Sequence, residues 1–362
     1  MNRRDFLRTS GIASAGIVYP AMAPPVLAQT PAADRWRIHE VTVQVDILKP
    51  SGVTRVWVPT PLTRDTPFHK TLGNSFQAEG GTARLVTDPR YGAGMVAAEW
   101  AQGLHPTLTH TARFATRDFA VDVTKPGNVP AEDRATLAKY TAPTDLMPLD
   151  GSVKELSARI VKGKEGGLEC ARAIYEWIVD HTHRDPKTRG CGTGDVKFMI
   201  ENKAYGGKCA DLNALFVTLA RAEGIPARDV YGVRVAGSLL GYASLGKVGG
   251  DITRAQHCRA EFYLPGHGWV PVDPADVRKV ILEEGGGKKP DDPLVLAARK
   301  RLFGSWEMNW LAYNYAHDLS LPGSTRGKVA FLMYPQAETD EGRLDSLDAD
   351  HFKYSITAKE IG

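Results

Sequence analysis

The chain has 362 residues, 43% of them hydrophobic and 24% charged, with a formal net charge of +3 at pH 7. That length predicts two domains with ordinary cores, and a nearly neutral balance argues against nucleic acid as a partner. Four cysteines in so long a chain exclude a disulfide framework.

The N-terminus reads as an address rather than as part of the fold. Residues 2–29, "NRRDFLRTSGIASAGIVYPAMAPPVLAQ", carry paired Arg3 and Arg4, then Phe6 and Leu7, a broken apolar stretch, and Val26-Leu27-Ala28 before Gln29. This pattern predicts a twin-arginine export signal over residues 1–28 and hence a periplasmic or secreted chain. The apolar stretch is shorter than the ~20 residues a membrane span needs, and no later segment is long enough, so no stable membrane span is expected. The signal holds a net charge of +2, which leaves about +1 for the remainder.

From residue 35 to about 125 the chain shows short alternating runs such as "WRIHEVTVQVDI", "GVTRVWVPTPL" and "LTHTARFATRDFAVDV". Period-two strands without intervening helices predict an antiparallel, β-sandwich-like domain. Residues 126–150, rich in Pro, Ala and charge, read as a linker with one helical turn. Beyond residue 150 the period lengthens. Val153, Leu156 and Ile160 share one helical face, and Ala171, Ile174, Tyr175 and Ile178 share another, which predicts two amphipathic helices. His181 and His183 with Cys191 read as a surface loop rather than a ligand set, and without CxxC or HExxH spacing no metal or other cofactor is expected.

A third helix opens at "GGKCAD", with Leu212, Leu215, Phe216 and Leu219 as its apolar face, Gly224 at its end and Pro226 beyond. Strands return in "RDVYGVRV", "HCRAEFYL" and "GWVPVDP", and the sheet is expected to continue in "EMNWLAYNYAHDL" and "GKVAFLMYP". The catalytic domain is thus expected over 151–336, with a C-terminal tail over 337–362.

The chemistry concentrates at that third helix. Cys209 stands at its mouth, where unpaired backbone N–H groups and the macrodipole favour a thiolate. Gly206 and Gly207 allow close backbone approach, and the Cys209 N–H can supply half of an oxyanion hole. Asp211 reads as a first-turn, helix-stabilising carboxylate. A thiolate nucleophile needs a histidine to pair with it and to protonate the leaving group. In "QHCRAEFYLPGHGWVPVDP" a strand would send His257, Arg259, Glu261 and Tyr263 to one side and Cys258, Ala260 and Phe262 to the core. If Pro265-Gly266-His267 is a three-residue loop, Asp273 falls opposite Arg259, on the face of His257 and diagonal to it. A four-residue loop would turn it to the other face. His267, at the turn itself, reads as solvated.

The order Cys–His–Asp, with "GGKCAD" opening a helix that ends "AEGIPAR", then His257 on a strand and "YLPGHGWVPVDP" after it, resembles the transglutaminase-like superfamily of cysteine hydrolases and acyltransferases. The resemblance covers about residues 150–335. It implies an α+β fold with a papain-like core, a nucleophile helix packed on an antiparallel sheet, preceded here by the β-rich domain. It further implies a triad at Cys209, His257 and Asp273. The β-rich N-terminal region and the ending "FKYSITAKEI" resemble those of bacterial secreted members. Arg259 stands where many members carry an aromatic residue. The second oxyanion donor, elsewhere a tryptophan or glutamine upstream of the cysteine, has Tyr205 as its candidate here. Cys170 and Cys191 remain as a possible disulfide, although Cys170 falls within a helix.

The expected activity is thiol-dependent hydrolysis of amide bonds in proteins or peptides. The alternatives are acyl transfer to an amine, as in a cross-linking transglutaminase, and a non-catalytic binding module on the same fold. Oligomeric state is not encoded in any visible motif.

Overall fold

The structure is a computed structural model describing residues 35–247 and 249–362; the expected export signal at 1–28 lies outside the described residues. Six antiparallel strands come first: β1 (Arg37–Ile47), β2 (Thr54–Pro59), β3 (His69–Glu79), β4 (Thr82–Thr87), β5 (Gly94–Trp100) and β6 (Thr107–Thr116). Alternation along β1 turns Val41, Val43, Val45 and Ile47 inward, as the period of two requires. One sheet joins β1, β6 and β3, and the second joins β2, β5 and β4. Val56, Val58, Val96 and Trp100 of the second sheet pack in one cluster with the β1 valines and with Leu108 and Phe114 of β6. This is the sandwich-like layer that the alternation predicted.

The expected linker is more ordered than its composition suggested. Asp133 caps a short helix, α1 (Arg134–Lys139), by accepting from the Thr136 N–H at 2.9 Å. The Val129 N–H donates to the Gly266 carbonyl at 2.7 Å, which ties the segment to the later, helix-containing half.

Next come α2 (Gly151–Ile160), α3 (Gly166–His181), α4 (Val196–Glu201) and α5 (Cys209–Ala222). All fourteen residues of α5 are buried. One side of α5 meets α2 and α3, and another meets the core sheet. That sheet contains β7 (Ala227–Arg234), β8 (Gln256–Leu264), β9 (Gly268–Val272) and β10 (Trp310–Asn314) in the order β9-β8-β7-β10. Cys258, Ala260 and Phe262 of β8 join Leu212, Leu215 and Phe216 of α5 in one apolar cluster. Burying each such large side chain contributes roughly 1.5–3 kcal/mol, so the helix that carries Cys209 is anchored along its whole length.

Two further helices interrupt the chain where only strands were expected, α6 (Pro274–Glu283) and α7 (Pro293–Arg301). Each begins with an Asp cap followed by Pro at the first helical position, a start signal with a clear physical basis. The segment "GKVAFLMYP" contributes only the two-residue pairing of Lys328 and Val329 rather than a full strand.

The segment 337–362, expected as a tail, belongs to the N-terminal sandwich. β11 (Gln336–Glu338) pairs with β2 and with β12 (Arg343–Leu344), and β13 (Phe352–Glu360) pairs with β1 in continuous register from Ile47↔Phe352 to His39↔Glu360. The first and last long strands of the described residues therefore complete one sheet. No helix among the described residues is long and apolar enough to cross a membrane.

Candidate active site

Loop and helix are locked together around the first turn of α5. The Asp211 carboxylate accepts from the backbone N–H groups of Lys208 (3.0 Å), Thr193 (2.9 Å) and Gly194 (3.0 Å). The Ala210 N–H donates to the Cys191 carbonyl at 2.9 Å. Gly192 has φ +94°, and a Cβ there would lie 1.9 Å from Asp211 Oδ2; only glycine fits so close beneath a carboxylate in the left-handed region. Asp211 is thus the structural carboxylate expected from its helix position.

The hairpin register is the one that a three-residue loop demands. Leu264 pairs with Gly268 and Ala260 with Val272, which leaves Pro265–His267 as the loop and puts Asp273 next in line, opposite Arg259. β9 ends at Val272, and Asp273 becomes the cap of α6. Its two oxygens divide the work. Oδ1 accepts from the Asp276 N–H at 3.0 Å, fixing the carboxylate, while Oδ2 lies 2.7 Å from His257 Nε2. Asn213, one turn along α5 from Cys209, donates to the Cys258 carbonyl (2.8 Å) and reaches Asp273 Oδ1 at 3.4 Å. The Trp310 indole N–H donates to the His257 carbonyl at 2.9 Å. His257 is therefore held from its backbone and from its ring.

The structure brings Cys209, His257 and Asp273 together. Cys191, Cys258 and His257 surround the Cys209 thiol, and their influence, against opposing burial, holds its pKa well below that of an ordinary thiol. Since His257 Nε2 faces Asp273, its other ring nitrogen is the one left for the thiol. Burial and the Arg234 guanidinium push the imidazole pKa down, but the Asp276 and Asp273 carboxylates outweigh them and the net shift is upward. Burial raises the Asp273 pKa, helped by Asp276, while His257 and Arg259 pull the other way.

Sequence reasoning missed Asp276 and Arg234. Asp276 Oδ1 lies 3.5 Å from His257 Nε2, and its two oxygens accept from Arg234 Nη2 at 2.5 and 2.7 Å. Burial would raise the Asp276 pKa, yet Arg234, His257 and Arg259 outweigh it and hold the carboxyl below its usual range. The run "DPAD" carried a signal for Asp276 as an acidic residue in the first helical turn; nothing local announced Arg234. Arg259, the departure from the family's aromatic, lies over the Trp310 ring at 4.8 Å, donates to the Glu307 carbonyl at 2.9 Å and approaches Asp273 Oδ2 at 3.7 Å. Ligand atoms of His257, Asp273 and Asp276 lie within 4.8 Å of one another, a spacing that could hold a cation. Arg234 and Arg259 already supply positive charge to the same two carboxylates, so the donor set is explained without a metal.

The structure gives two further side chains their setting. Tyr205 packs edge-on against Trp177, with ring centroids 5.4 Å apart, and lines a groove with Leu156, Arg159, Ile160 and Lys203. Its phenol belongs to that groove. Cys170 and Cys191 are not joined, and all four cysteines are free thiols. Cys191 instead lies beside Cys209, held by the loop that Asp211 straps down, while Cys170 stays on α3. His181 stacks on Trp177 at 4.8 Å and is exposed, as is His183. His267, expected to be solvated, is half-buried, with Nε2 2.8 Å from the Lys125 carbonyl.

The sequence profile of the Transglutaminase-like superfamily matches residues 154–274, a span that includes all three of these side chains. An uncharacterized protein of Haemophilus influenzae is 34% identical over 342 residues, covering 90% of this chain and 92% of its own length. Among solved structures, a candidate cysteine protease from Cytophaga hutchinsonii superposes with a TM-score of 0.51 at 15% identity, covering 90% of this chain and 98% of that one. That likeness is one of fold.

Proposed function

Because the chain belongs to the transglutaminase-like superfamily, we propose that it is a thiol-dependent hydrolase acting on amide bonds of proteins or peptides. The observation that carries this reading is the His257–Asp273 contact of 2.7 Å, made by an imidazole that also helps to lower the pKa of the Cys209 thiol. In this reading the Cys209 thiolate attacks the amide carbonyl carbon. The oxyanion that forms is met by the Cys209 N–H at the start of α5, where the helix dipole adds to the donor. The imidazolium of His257 then gives its proton to the departing amine, and the acyl-enzyme is released when His257 takes a proton from water. Asp273 keeps the ring oriented and stabilises its charged form, the role a buried carboxylate plays behind a catalytic histidine.

The test is the pH dependence of iodoacetamide labelling at Cys209, read by mass spectrometry, in the native chain and in His257→Ala. A thiolate–imidazolium pair labels rapidly well below the ~8.5 of a free thiol, and the substitution should slow that labelling sharply at pH 6. Labelling that rises only near pH 8.5 and ignores His257 would sink the proposal in favour of a binding module. Product analysis with and without added amine then separates hydrolysis from acyl transfer.

A further inference from the structure

Cys191 has no part in the mechanism above, yet it stands beside Cys209. Each thiol shifts the ionisation of the other, Cys209 downward and Cys191 upward, as neighbouring side chains do, and both are buried in one cluster. The 2.9 Å bond from the Ala210 N–H to the Cys191 carbonyl sets the Cys191 backbone against the peptide that follows Cys209. The two main chains therefore run side by side at this point, the juxtaposition that a disulfide, with Cα atoms roughly 4.4–6.8 Å apart, requires. The Cys191 sulfur also lies 3.3 Å from the Gln256 carbonyl, so the thiol has a defined seat rather than a free rotor. Glycines flank it, with Gly190 at φ +55° and Gly192 at φ +94°, left-handed conformations that let this loop turn tightly against the helix start. Cys258 also touches Cys209, but it sits in the middle of β8, where its backbone is fixed opposite Tyr231.

We propose that Cys191 is a resolving thiol for Cys209, and that hydrogen peroxide converts the pair to a Cys191–Cys209 disulfide that reversibly closes the site. The inference rests on the reading of Cys209 as a reactive nucleophile. In the first step the Cys209 thiolate attacks peroxide: an S–O bond forms, the O–O bond breaks, hydroxide leaves, and sulfur is oxidised by two electrons to the sulfenic acid. In the second step the Cys191 sulfur attacks that sulfur, an S–S bond forms, and the Cys191 proton leaves with the hydroxyl as water. The two thiols are electronically suited to these parts. Cys209 is held toward the thiolate, whereas its own influence on Cys191, followed by burial, keeps that thiol protonated. A low-pKa thiol beside a resolving cysteine is the arrangement that diverts oxidation from irreversible sulfinic acid to a reducible bond.

The experiment treats the reduced full chain with hydrogen peroxide, caps free thiols with N-ethylmaleimide and maps peptides without reduction, with iodoacetamide labelling of the untreated protein in parallel. The expected result is a cross-linked peptide joining Cys191 to Cys209, with labelling of Cys209 lost and then restored by dithiothreitol. Cys191→Ala should instead send Cys209 to sulfinic acid, with no recovery on reduction. Sulfinic acid at Cys209 in the native chain without a cross-link, or a bond from Cys209 to Cys258, would overturn the proposal. Because the native-chain result needs no variant, a poorly folded Cys191→Ala leaves the test intact. Fast labelling of the reduced protein with no cross-link removes this inference alone, whereas slow, His257-independent labelling removes the hydrolase reading.

Discussion

At the scale of single residues, the site depends on charges that neutralise one another out of water. His257 is 4% exposed and Asp273 is fully buried, and neither could stay ionised there unaided. Asp276 and Arg234 supply the balance. Asp276→Asn would leave Arg234 as a buried guanidinium without its carboxylate, and removing one member of a buried pair costs about 3–5 kcal/mol. It also removes the largest upward influence on the imidazole. We therefore expect a loss of stability of that order in urea titrations, together with slower iodoacetamide labelling of Cys209 near neutral pH as His257 loses its proton more readily. Unchanged labelling with reduced stability would mean that Asp276 supports the fold but not the imidazolium. The raised pKa of His257 has a stability consequence of definite sign. Its contribution is fully present below the unfolded value of about 6.5 and is lost as pH rises through the higher folded value.

At the scale of elements, the β1-β6-β3 sheet contains a different histidine arrangement, with the opposite dependence on pH. His39 and His69 stack on the two sides of Phe114, with ring centroids 5.5 and 5.6 Å away, and no ring nitrogen of either has a hydrogen-bond partner. Burial lowers the pKa of His39 to about 4, with help from Arg37, and burial alone lowers that of His69 to about 3. His110, bonded to Asn74 Oδ1 at 2.9 Å, is lowered by burial to about 4. These rings fold neutral, so below about pH 6.5 the unfolded chain binds more protons, and stability must fall as pH drops from there toward 4. Each histidine can withdraw up to roughly 3 kcal/mol over that window. Urea midpoints measured from pH 7 to pH 4.5 should decline, and His69→Phe should flatten the decline. A flat native profile would show that protonation is met by local rearrangement instead.

At the scale of the whole molecule, the half that carries the candidate site is inserted between the first and last strands of the sandwich. β13 seals the edge of β1 over nine register pairs, with Phe352 and Ile356 each 1% exposed. Truncation after Asp350 would bare a long strand edge and remove two core side chains. It should lower the thermal midpoint and promote aggregation, as read by thermal unfolding with light scattering; a truncated chain as stable and monodisperse as the native one would contradict this account of β13. Much of the architecture was legible in order along the chain, because its signals are short-range. Alternation marked the strands of the sandwich, and the apolar face and terminal Gly224 marked α5, while the face of Asp273 hung on a loop length that the sequence left open and the hairpin register decided. The capping signals at Asp273-Pro274 and Asp292-Pro293 were also present and could have announced α6 and α7. Other features had no local sign. Arg234 meets Asp276 across 42 residues, Cys191 meets Cys209 through a loop fixed by Asp211, Tyr205 turns to Trp177, and β13 finds β1 some 310 residues away. The sequence by itself determined the strand and helix types, the family resemblance and the order of Cys209, His257 and Asp273, since propensity, periodicity and turn length act between neighbours. Only the tertiary structure decided which charges are paired and which thiol touches the nucleophile. Those contacts depend on where packed elements bring distant backbones together, and burial then multiplies the energy of each polar group that it encloses.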